Sequence, residues 1–356
     1  MTKAKKTILA SILLLATSVF ASATYPEDSY NYRFDQGYPV DENHMIGAYN
    51  AQGRIDVCGD WDFYATGTFL LWQPKQQGLD VALVTPRTNP TNNAAHNLNT
   101  DFDYDPGFKL TLGSFFSDDN WGLWAEYSRL HTDNSARRKA DPQIDTITNY
   151  WRIGATVTNL TSIFSKWDLG LDILDLSLGR PYYIGTKLIF NPFIGGRVSW
   201  IDQKINVRTS TSTGSKYETN VSSDSWLIGP RIGINTNWLL AEGFRFFGNT
   251  SASLFYQNFK LTAKEYQDIN PRVYTINASE DQSNFNANVD LSLGFGWGRY
   301  FFRQKLHFDA IAGYELMLMW NQNLMRSFIE EIKNSVHSNH GNLTPHGFIF
   351  ATRLDF

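Results

Sequence analysis

The segment that decides the fold spans residues 226–238 and reads WLIGPRIGINTNW. Its even-numbered positions are Trp226, Ile228, Pro230, Ile232, Ile234, Thr236 and Trp238, and its odd-numbered positions are Leu227, Gly229, Arg231, Gly233, Asn235 and Asn237. Successive side chains of a β-strand point to opposite faces. One face of this strand is therefore apolar with a tryptophan at each end, and the other is small and polar. A strand that separates hydrocarbon from water in a membrane barrel needs this division.

The same alternation recurs along the chain. It is clear in residues 188–205, 287–297 and 306–320, and less regular in 108–115 and 244–259. A soluble β-sandwich also alternates, but its strands are typically about 5–6 residues long and its solvated face favours Thr, Lys and Glu. Here the polar faces are rich in Gly and Asn, the strands are longer, and Trp and Tyr recur near their ends. These features favour a membrane barrel.

The connections between these strands alternate in length. Short links are expected at 117–120, 184–187, 239–243 and 302–305, and long ones at 73–106, 132–166, 206–221, 261–284 and 321–344. Short periplasmic turns and long extracellular loops are typical of outer-membrane barrels. We predict an all-β protein, a transmembrane antiparallel up-and-down β-barrel of about 10 to 14 strands, with about 12 as the central value.

Several segments leave the strand count and the loops open. Residues 78–85 and 146–157 lie in long loops and could each add a hairpin, since structureless connections of that length are uncommon. Along residues 167–178 the apolar side chains change from odd-numbered to even-numbered positions, which predicts a β-bulge or an unrecognised turn. Residues 323–336 carry Leu324, Phe328 and Ile332 at helical spacing. This spacing predicts a short amphipathic helix that either plugs the mouth or, as is commoner, packs on the surface.

The first residues have the pattern of a secretory signal peptide. Three lysines precede a short apolar run, and small residues follow at 21–23. We expect a signal peptide over 1–23, cleavage near Ala23, a periplasmic segment over 24–57 and the barrel over 58–356, in the outer membrane of a Gram-negative bacterium. Loss of the three lysines, with no acid lost, lowers the net charge from −4 to −7, which argues against a nucleic-acid partner. Cys58 is the only cysteine, so no internal disulfide is expected.

The last ten residues form another alternating strand with an aromatic end. Its apolar positions are Phe348, Phe350, Leu354 and Phe356. A strand of this kind that ends in an aromatic residue resembles the signal read by the outer-membrane barrel assembly machinery. We therefore expect that machinery and outer-membrane lipid as partners.

The alternation also predicts which charged side chains face the barrel interior. The predicted pore-lining residues are Lys109, Glu126, Arg197, Arg231, Arg245, Asp290, Asp309 and Glu315. The near balance of signs predicts weak ion selectivity, because selectivity needs a field of one sign. One hypothesis is a mid-barrel constriction in which Arg197, Arg231 and Arg245 face the acids. The alternative is that the charges pair across the lumen and close it, as side chains do in eight-stranded barrels.

Several short motifs resemble a known family. They are LDLSLGR at 174–180, NPF at 191–193, WIDQ at 200–203, PGFK at 106–109, NWGLW at 120–124 and the strand 347–356. Together they resemble the Legionella-type pore-forming outer-membrane protein family (major outer membrane protein-like), scattered over about residues 58–356. The resemblance implies an abundant pore-forming barrel. That family is compared with chlamydial major outer-membrane proteins, which are cysteine-rich, so the single Cys58 puts envelope cross-linking in doubt.

Three classes of function are considered for a protein with this sequence. The favoured one is a porin-like barrel for passive diffusion of small hydrophilic solutes or ions, and the alternative is a structural or adhesin barrel that acts through its surface loops. An enzyme is not expected, because no nucleophile elbow or phosphate-binding loop is present. No cofactor is expected, and His337 and His340 lack the further ligands of a zinc site. Outward aromatic residues leave a homo-oligomer possible.

Overall fold

The computed structural model describes residues 53–55, 57, 62–87, 95–116, 120–267, 273–334 and 340–356. These residues lie within 50–356, which is one of two compact units of the chain. The predicted signal peptide, its cleavage near Ala23 and the lone Cys58 lie outside the described residues. The predicted domain boundaries at residues 23 and 57 therefore stay predictions.

Ten antiparallel strands close into a barrel. They are β1 (Phe63–Gln76), β4 (Asp105–Phe115), β5 (Gly122–Lys139), β7 (Leu160–Gly179), β9 (Leu188–Thr211), β10 (Lys216–Leu239), β11 (Phe244–Gln267), β12 (Val273–Phe301), β13 (Leu306–Asn323) and β14 (Gly341–Asp355). Each pairs with the next in this order, and β14 pairs with β1, which completes the ring. The predicted fold class is confirmed. The strand number is at the lower end of the predicted range and below its central value.

The two loop segments that were candidates for extra membrane strands form a small separate sheet instead. Its strands are β2 (Ala82–Pro86), β3 (His96–Leu98) and β6 (Asp145–Asn149), in the order β3-β2-β6. A fourth short strand, β8 (Tyr182–Ile184), pairs only with the beginning of β9. The candidates failed as membrane strands because their apolar side chains, such as Val81 and Ile147, are buried in a core among the loops.

The outer face of the barrel carries the apolar alternation. On β10, Trp226, Ile232 and Trp238 expose 41%, 61% and 58% of their surface, and Leu293 and Phe295 on β12 are similarly exposed. Large apolar groups with this much exposed surface are stable only where hydrocarbon, rather than water, covers them. The outer faces predicted for β9, β10, β12 and β13 are therefore confirmed.

Four strands extend well beyond this apolar belt. β9, β10 and β11 each have 24 residues and β12 has 29. The segments 206–221 and 261–284, predicted as loops, are largely strand, since β9 ends at Thr211 and β10 begins at Lys216. The loop prediction was wrong because, above the apolar belt, the apolar side chains lie on the inner face of the strands instead of the outer face. There the outer face becomes polar while Ile205 and Val207 point into a buried core.

The change of apolar side chains from odd-numbered to even-numbered positions in β7 has the same cause, the reversal of the apolar face above the belt. β7 pairs with β5 and β9 in unbroken register from Ser162 to Gly179, so the predicted bulge or turn is wrong. Leu169, Leu171 and Ile173 face inward and are almost fully buried, whereas Leu176 faces outward and is half-exposed. This change therefore marks the level at which the apolar side of the strand changes from the inside to the outside.

Short turns connect the strands at the opposite end of the barrel. β10 and β11 are joined by residues 240–243, where Gly243 has a φ of +84°. A side chain there would clash with the carbonyl oxygen of Gly298, so both conformation and space require glycine. Within the described ranges, no helix is long and apolar enough to cross a membrane.

Candidate functional site in the barrel interior

A layer of charged side chains closes the middle of the barrel. It consists of Lys109, Glu126, Asp175, Arg197, Arg231, Asp290 and Glu315, three cations and four carboxylates, and we call it the charged layer. Alternation places each of them on the inner face of its strand, which is why residues far apart in sequence meet here. Six of the eight predicted pore-lining residues belong to this layer.

Arg197 is the centre of one half of the charged layer. Its guanidinium donates two hydrogen bonds to the neighbouring Asp175, of 2.6 and 2.7 Å. Its Nη2 also lies 2.8 Å from Oδ2 of Asp290 on β12, a strand separated from β9 by β10 and β11. Arg231 lies 3.5 Å from Asp175 and 3.7 Å from Asp290. The side chains of Arg197 and Asp175 are only 3% and 2% exposed, so this pair is buried.

Lys109 is the centre of the other half. Its Nζ lies 2.6 Å from Oε1 of Glu315, a contact that spans the interior because β1 and β14 separate the two strands. The same Nζ is 3.7 Å from Glu126 and 5.2 Å from the ring centre of Trp72. Each half of the charged layer thus links strands that are three apart around the ten-stranded ring. Arg197 and Arg231 lie among the acids, and their role as a constriction of a conducting pore stays a prediction.

Arg245 and Asp309 do not join the charged layer. They form a bidentate pair nearer the short turns, where Arg245 also donates to Oδ1 of Asn237 at 2.9 Å. Beside them, Nδ1 of His307 lies 3.1 Å from Asp355, which also accepts a hydrogen bond from Arg353. Arg245 faces Asp309, one of the predicted acids, but it lies near the turn 240–243 rather than at the middle of the barrel.

A chamber of about 680 Å³ occupies the space between the charged layer and the short turns. Hydroxyl, amide, charged and apolar side chains line it, together with the turn residues 240–243. Residues Gly53, Arg54 and Ile55 border it too, and the Gly53 N–H donates to the carbonyl of Pro181 at 3.2 Å. Part of the predicted periplasmic segment therefore lies at the mouth of the chamber.

The opposite half of the interior is packed with apolar side chains. The largest buried inward-facing ones are Trp72, Trp167, Phe255 and Phe259, each less than 2% exposed. Against them pack the small sheet β3-β2-β6, the fully buried Trp151, and the helix α1 (Met325–Asn334) through Phe328 and Ile329. We call the small sheet, residues 150–154 and α1 the plug. The predicted helix is confirmed, and it lies in the mouth rather than on the surface.

Amide side chains of four wall strands, β9, β11, β12 and β13, bond to one another across the interior, at the end of β13 from which α1 follows. Gln322, which precedes α1, accepts a hydrogen bond of 2.9 Å from Nε2 of Gln257 and returns one of 3.0 Å. Nε2 of Gln203 donates to the Gln322 carbonyl at 3.1 Å, and Asn286 donates to Gln257 at 2.9 Å. Buried polar groups need such partners. The network therefore fixes the start of the helical segment across the lumen.

A single carboxylate fastens the plug to the wall. Glu265 on β11 is fully buried and accepts hydrogen bonds from the backbone N–H groups of Ile153, at 2.7 Å, and Gly154, at 3.2 Å. Arg152 lies 3.3 Å from it, and the Thr219 hydroxyl donates to it at 3.3 Å. We call this set of contacts the latch. Sequence patterning missed it, because an acid in a polar segment carries no sign of its partner.

The predicted assembly residues lie on the outer face of the last strand. Phe348, Phe350, Leu354 and Phe356 each expose between 43% and 50% of their surface. β14 pairs with both β1 and β13, so these side chains border the junction that closes the barrel. Their recognition by the assembly machinery stays a prediction. Across the described ranges, no group of three or more His, Cys, Asp or Glu is arranged to hold a metal ion.

One protein family matches most of the chain. The family model for the Legionella pneumophila major outer membrane protein precursor matches residues 57–356. No curated protein matches the chain.

The chain is also similar to solved structures, at low identity. Ail, the attachment invasion locus protein of Yersinia pestis, has 9% identity and a TM-score of 0.25, with 83% of this chain and 99% of Ail covered. The P. putida toluene transporter TodX has 10% identity and a TM-score of 0.31, with 84% and 90% covered. A Pseudomonas aeruginosa FadL homologue has 8% identity and a TM-score of 0.25, with 83% and 90% covered. TM-scores this low do not establish a shared fold.

Proposed function

The chain belongs to the family of the Legionella pneumophila major outer membrane protein, and from this premise we propose that it forms a gated pore. Family and barrel together support a location in the outer membrane and a structural or transport role. The finer proposal is that the barrel is closed at rest and admits small hydrophilic solutes when its plug moves.

The observation that carries the proposal is the contrast between the two halves of the interior. The half near the short turns holds a chamber of about 680 Å³ with a mixed polar and apolar lining. The other half is closed by the plug, which is built from loop segments rather than from the barrel wall. A purely structural barrel, whose interior only has to be filled, would not need such a chamber. Loop segments can move without breaking the hydrogen bonds of the wall.

The geometry favours a gated pore over the porin-like barrel for passive diffusion that the sequence predicts. Ten strands leave little more room than the eight that side chains can fill, and the charged layer spans that room. Taking an ion through it would separate buried pairs, and loss of one partner costs about 3–5 kcal/mol. Conduction therefore requires that the charged layer rearrange and the plug move together.

Single-channel recording from the refolded full chain in planar bilayers tests the proposal. We expect long closed periods with brief openings, and more frequent openings when the contacts of the plug are weakened. Continuous conductance would contradict the gate. A folded barrel that stays silent even after the plug is loosened would contradict the pore.

A surface-acting barrel is the second candidate, and one observation favours it. β9 to β12 project beyond the apolar belt with a charged outer face, including Lys204, Asp224 and Lys260. This hydrogen-bonded wall offers its charged face for contact with a host or a neighbouring surface. Loss of adhesion on changing these charges, with bilayer silence, would support it over the pore.

A further inference from the structure

We propose that the chamber binds an uncharged, hydroxyl-rich solute of the mono- or disaccharide class along a row of amide side chains. The inference goes beyond the proposed function, because binding in the chamber does not require that the barrel conduct.

The row crosses neighbouring strands at one level. Asn191 on β9 is the direct register partner of Asn235 on β10, and Asn235 is the partner of Asn249 on β11. Asn249 is in turn paired with Ser292 on β12. All four line the chamber. Facing residues of paired strands lie about 5 Å apart, so the row is about 15 Å long.

The chemistry of the row suits hydroxyl groups. Each asparagine side chain offers both a donor and an acceptor, as does each hydroxyl of a sugar. Oδ1 of Asn191 is buried and has no hydrogen-bond partner among the described residues. An unsatisfied buried acceptor costs free energy, and rotation of the Asn191 amide toward a donating hydroxyl in the chamber would recover it.

The charges of the chamber argue against an ionic ligand. Apart from Glu242 in the turn 240–243, every charged side chain that the described residues place around the chamber has an opposite charge within 3.7 Å. An ion would have to compete with these existing pairs or remain unpaired, and both outcomes are unfavourable. A neutral ligand leaves the pairs intact.

An aromatic pair adds an apolar contact near the row. Trp124 and Phe193 both line the chamber and meet edge to face, with ring centres 5.4 Å apart. Phe193 is buried and Trp124 is half-buried, so the tryptophan retains surface for the C–H groups of a sugar ring. The chamber volume of about 680 Å³ is within the range of about 300–1,000 Å³ that is typical of small-molecule sites.

Ligand-observed NMR on the refolded full chain in micelles tests the proposal. The probes are glucose and maltose, with glucosamine and glucuronate as charged analogues of similar size. We expect saturation transfer to glucose and maltose, and weaker transfer to both charged analogues. No transfer to either neutral sugar, or stronger transfer to a charged analogue, would overturn the proposal.

Asn235→Ala and Asn249→Ala test the row itself. We expect each to weaken maltose binding by about tenfold, which corresponds to about 1.4 kcal/mol. Asn258→Ala is the matched control, because Asn258 lies on β11 outside the chamber and bonds to Ser283. Folding of each variant is checked by the heat-dependent mobility of the barrel on gels. Equal binding by folded Asn235→Ala, Asn249→Ala and Asn258→Ala proteins would overturn the assignment to the row.

The outcome is separable from that of the gated pore. Sugar binding by a barrel that never conducts would leave this proposal standing and remove the pore. Conductance with no sugar binding would leave the gated pore standing and remove the sugar-binding proposal.

Discussion

Removal of the Glu265 carboxylate is the perturbation with the largest expected effect on the gate. In the closed barrel, Glu265→Ala would leave the N–H groups of Ile153 and Gly154, and the guanidinium of Arg152, without their common acceptor. These groups regain water when the plug moves out. The substitution therefore destabilises the closed state more than the open one.

The magnitude follows from the burial of the carboxylate. Glu265 is fully buried, and removal of one partner of a buried ion pair costs about 3–5 kcal/mol. Since about 1.4 kcal/mol is a factor of ten, the ratio of open to closed states should rise roughly 100- to 4,000-fold. Glu265→Gln keeps one acceptor oxygen and loses the charge, so its effect should be intermediate.

Two measurements check this prediction. Single-channel recording gives the open probability, and hydrogen exchange gives the opening of the Ile153 and Gly154 amides without any current. Asp281→Asn is the control, because Asp281 is exposed on β12 outside the plug. If Glu265→Ala folds, yet its open probability and amide exchange equal those of Asp281→Asn, the latch has no role in closing the barrel.

Three further predictions concern the charged layer and the membrane face. Arg231→Glu should shift the reversal potential of any open channel toward cations, and an unchanged potential would remove Arg231 from the conducting path. Asp175→Asn should lower the free energy of unfolding by about 1–3 kcal/mol in urea titrations, because it removes the charge of one of two carboxylates that pair with Arg197 while Asp290 keeps that guanidinium paired, whereas the exposed Asp168→Asn should cost less than about 1 kcal/mol. Phe356→Ser should reduce the amount of folded barrel in the outer membrane, and equal loss with the neighbouring Thr352→Ser would refute a specific assembly signal.

The parts of the fold that were predictable are those where each face of a strand meets one solvent. Trp226 to Trp238 separates lipid from a polar interior, so period-two alternation alone assigns both faces. The inward positions of Arg197 and Asp290 follow from the same rule. Their pairing across the lumen does not, because it depends on the strand number, and one or two extra hairpins would have widened the barrel.

The plug was hidden for a related reason. Above the apolar belt the barrel has water outside and an apolar core inside, so the usual polarity of the strand is reversed. The sequence carries one trace of this reversal, the change from Leu169 and Leu171 to Leu174 and Leu176 as the apolar side of β7. If this change marks the level at which water replaces lipid outside the barrel, and not a bulge, it predicts an apolar core inside the outer half of the barrel. The latch at Glu265 leaves no such trace, since its partners are backbone groups 111 and 112 residues away.

The most direct test of the closed lumen is the side from which the chamber can be reached. A cysteine introduced as Thr66→Cys, in a Cys58→Ser background, would line the chamber. Ser212→Cys, in the exposed turn between β9 and β10, is the external control. A small membrane-impermeant thiol reagent added to intact cells should label Ser212→Cys and leave Thr66→Cys unlabelled until the periplasm is opened. Labelling of Thr66→Cys from outside at the rate of Ser212→Cys would contradict the closed barrel.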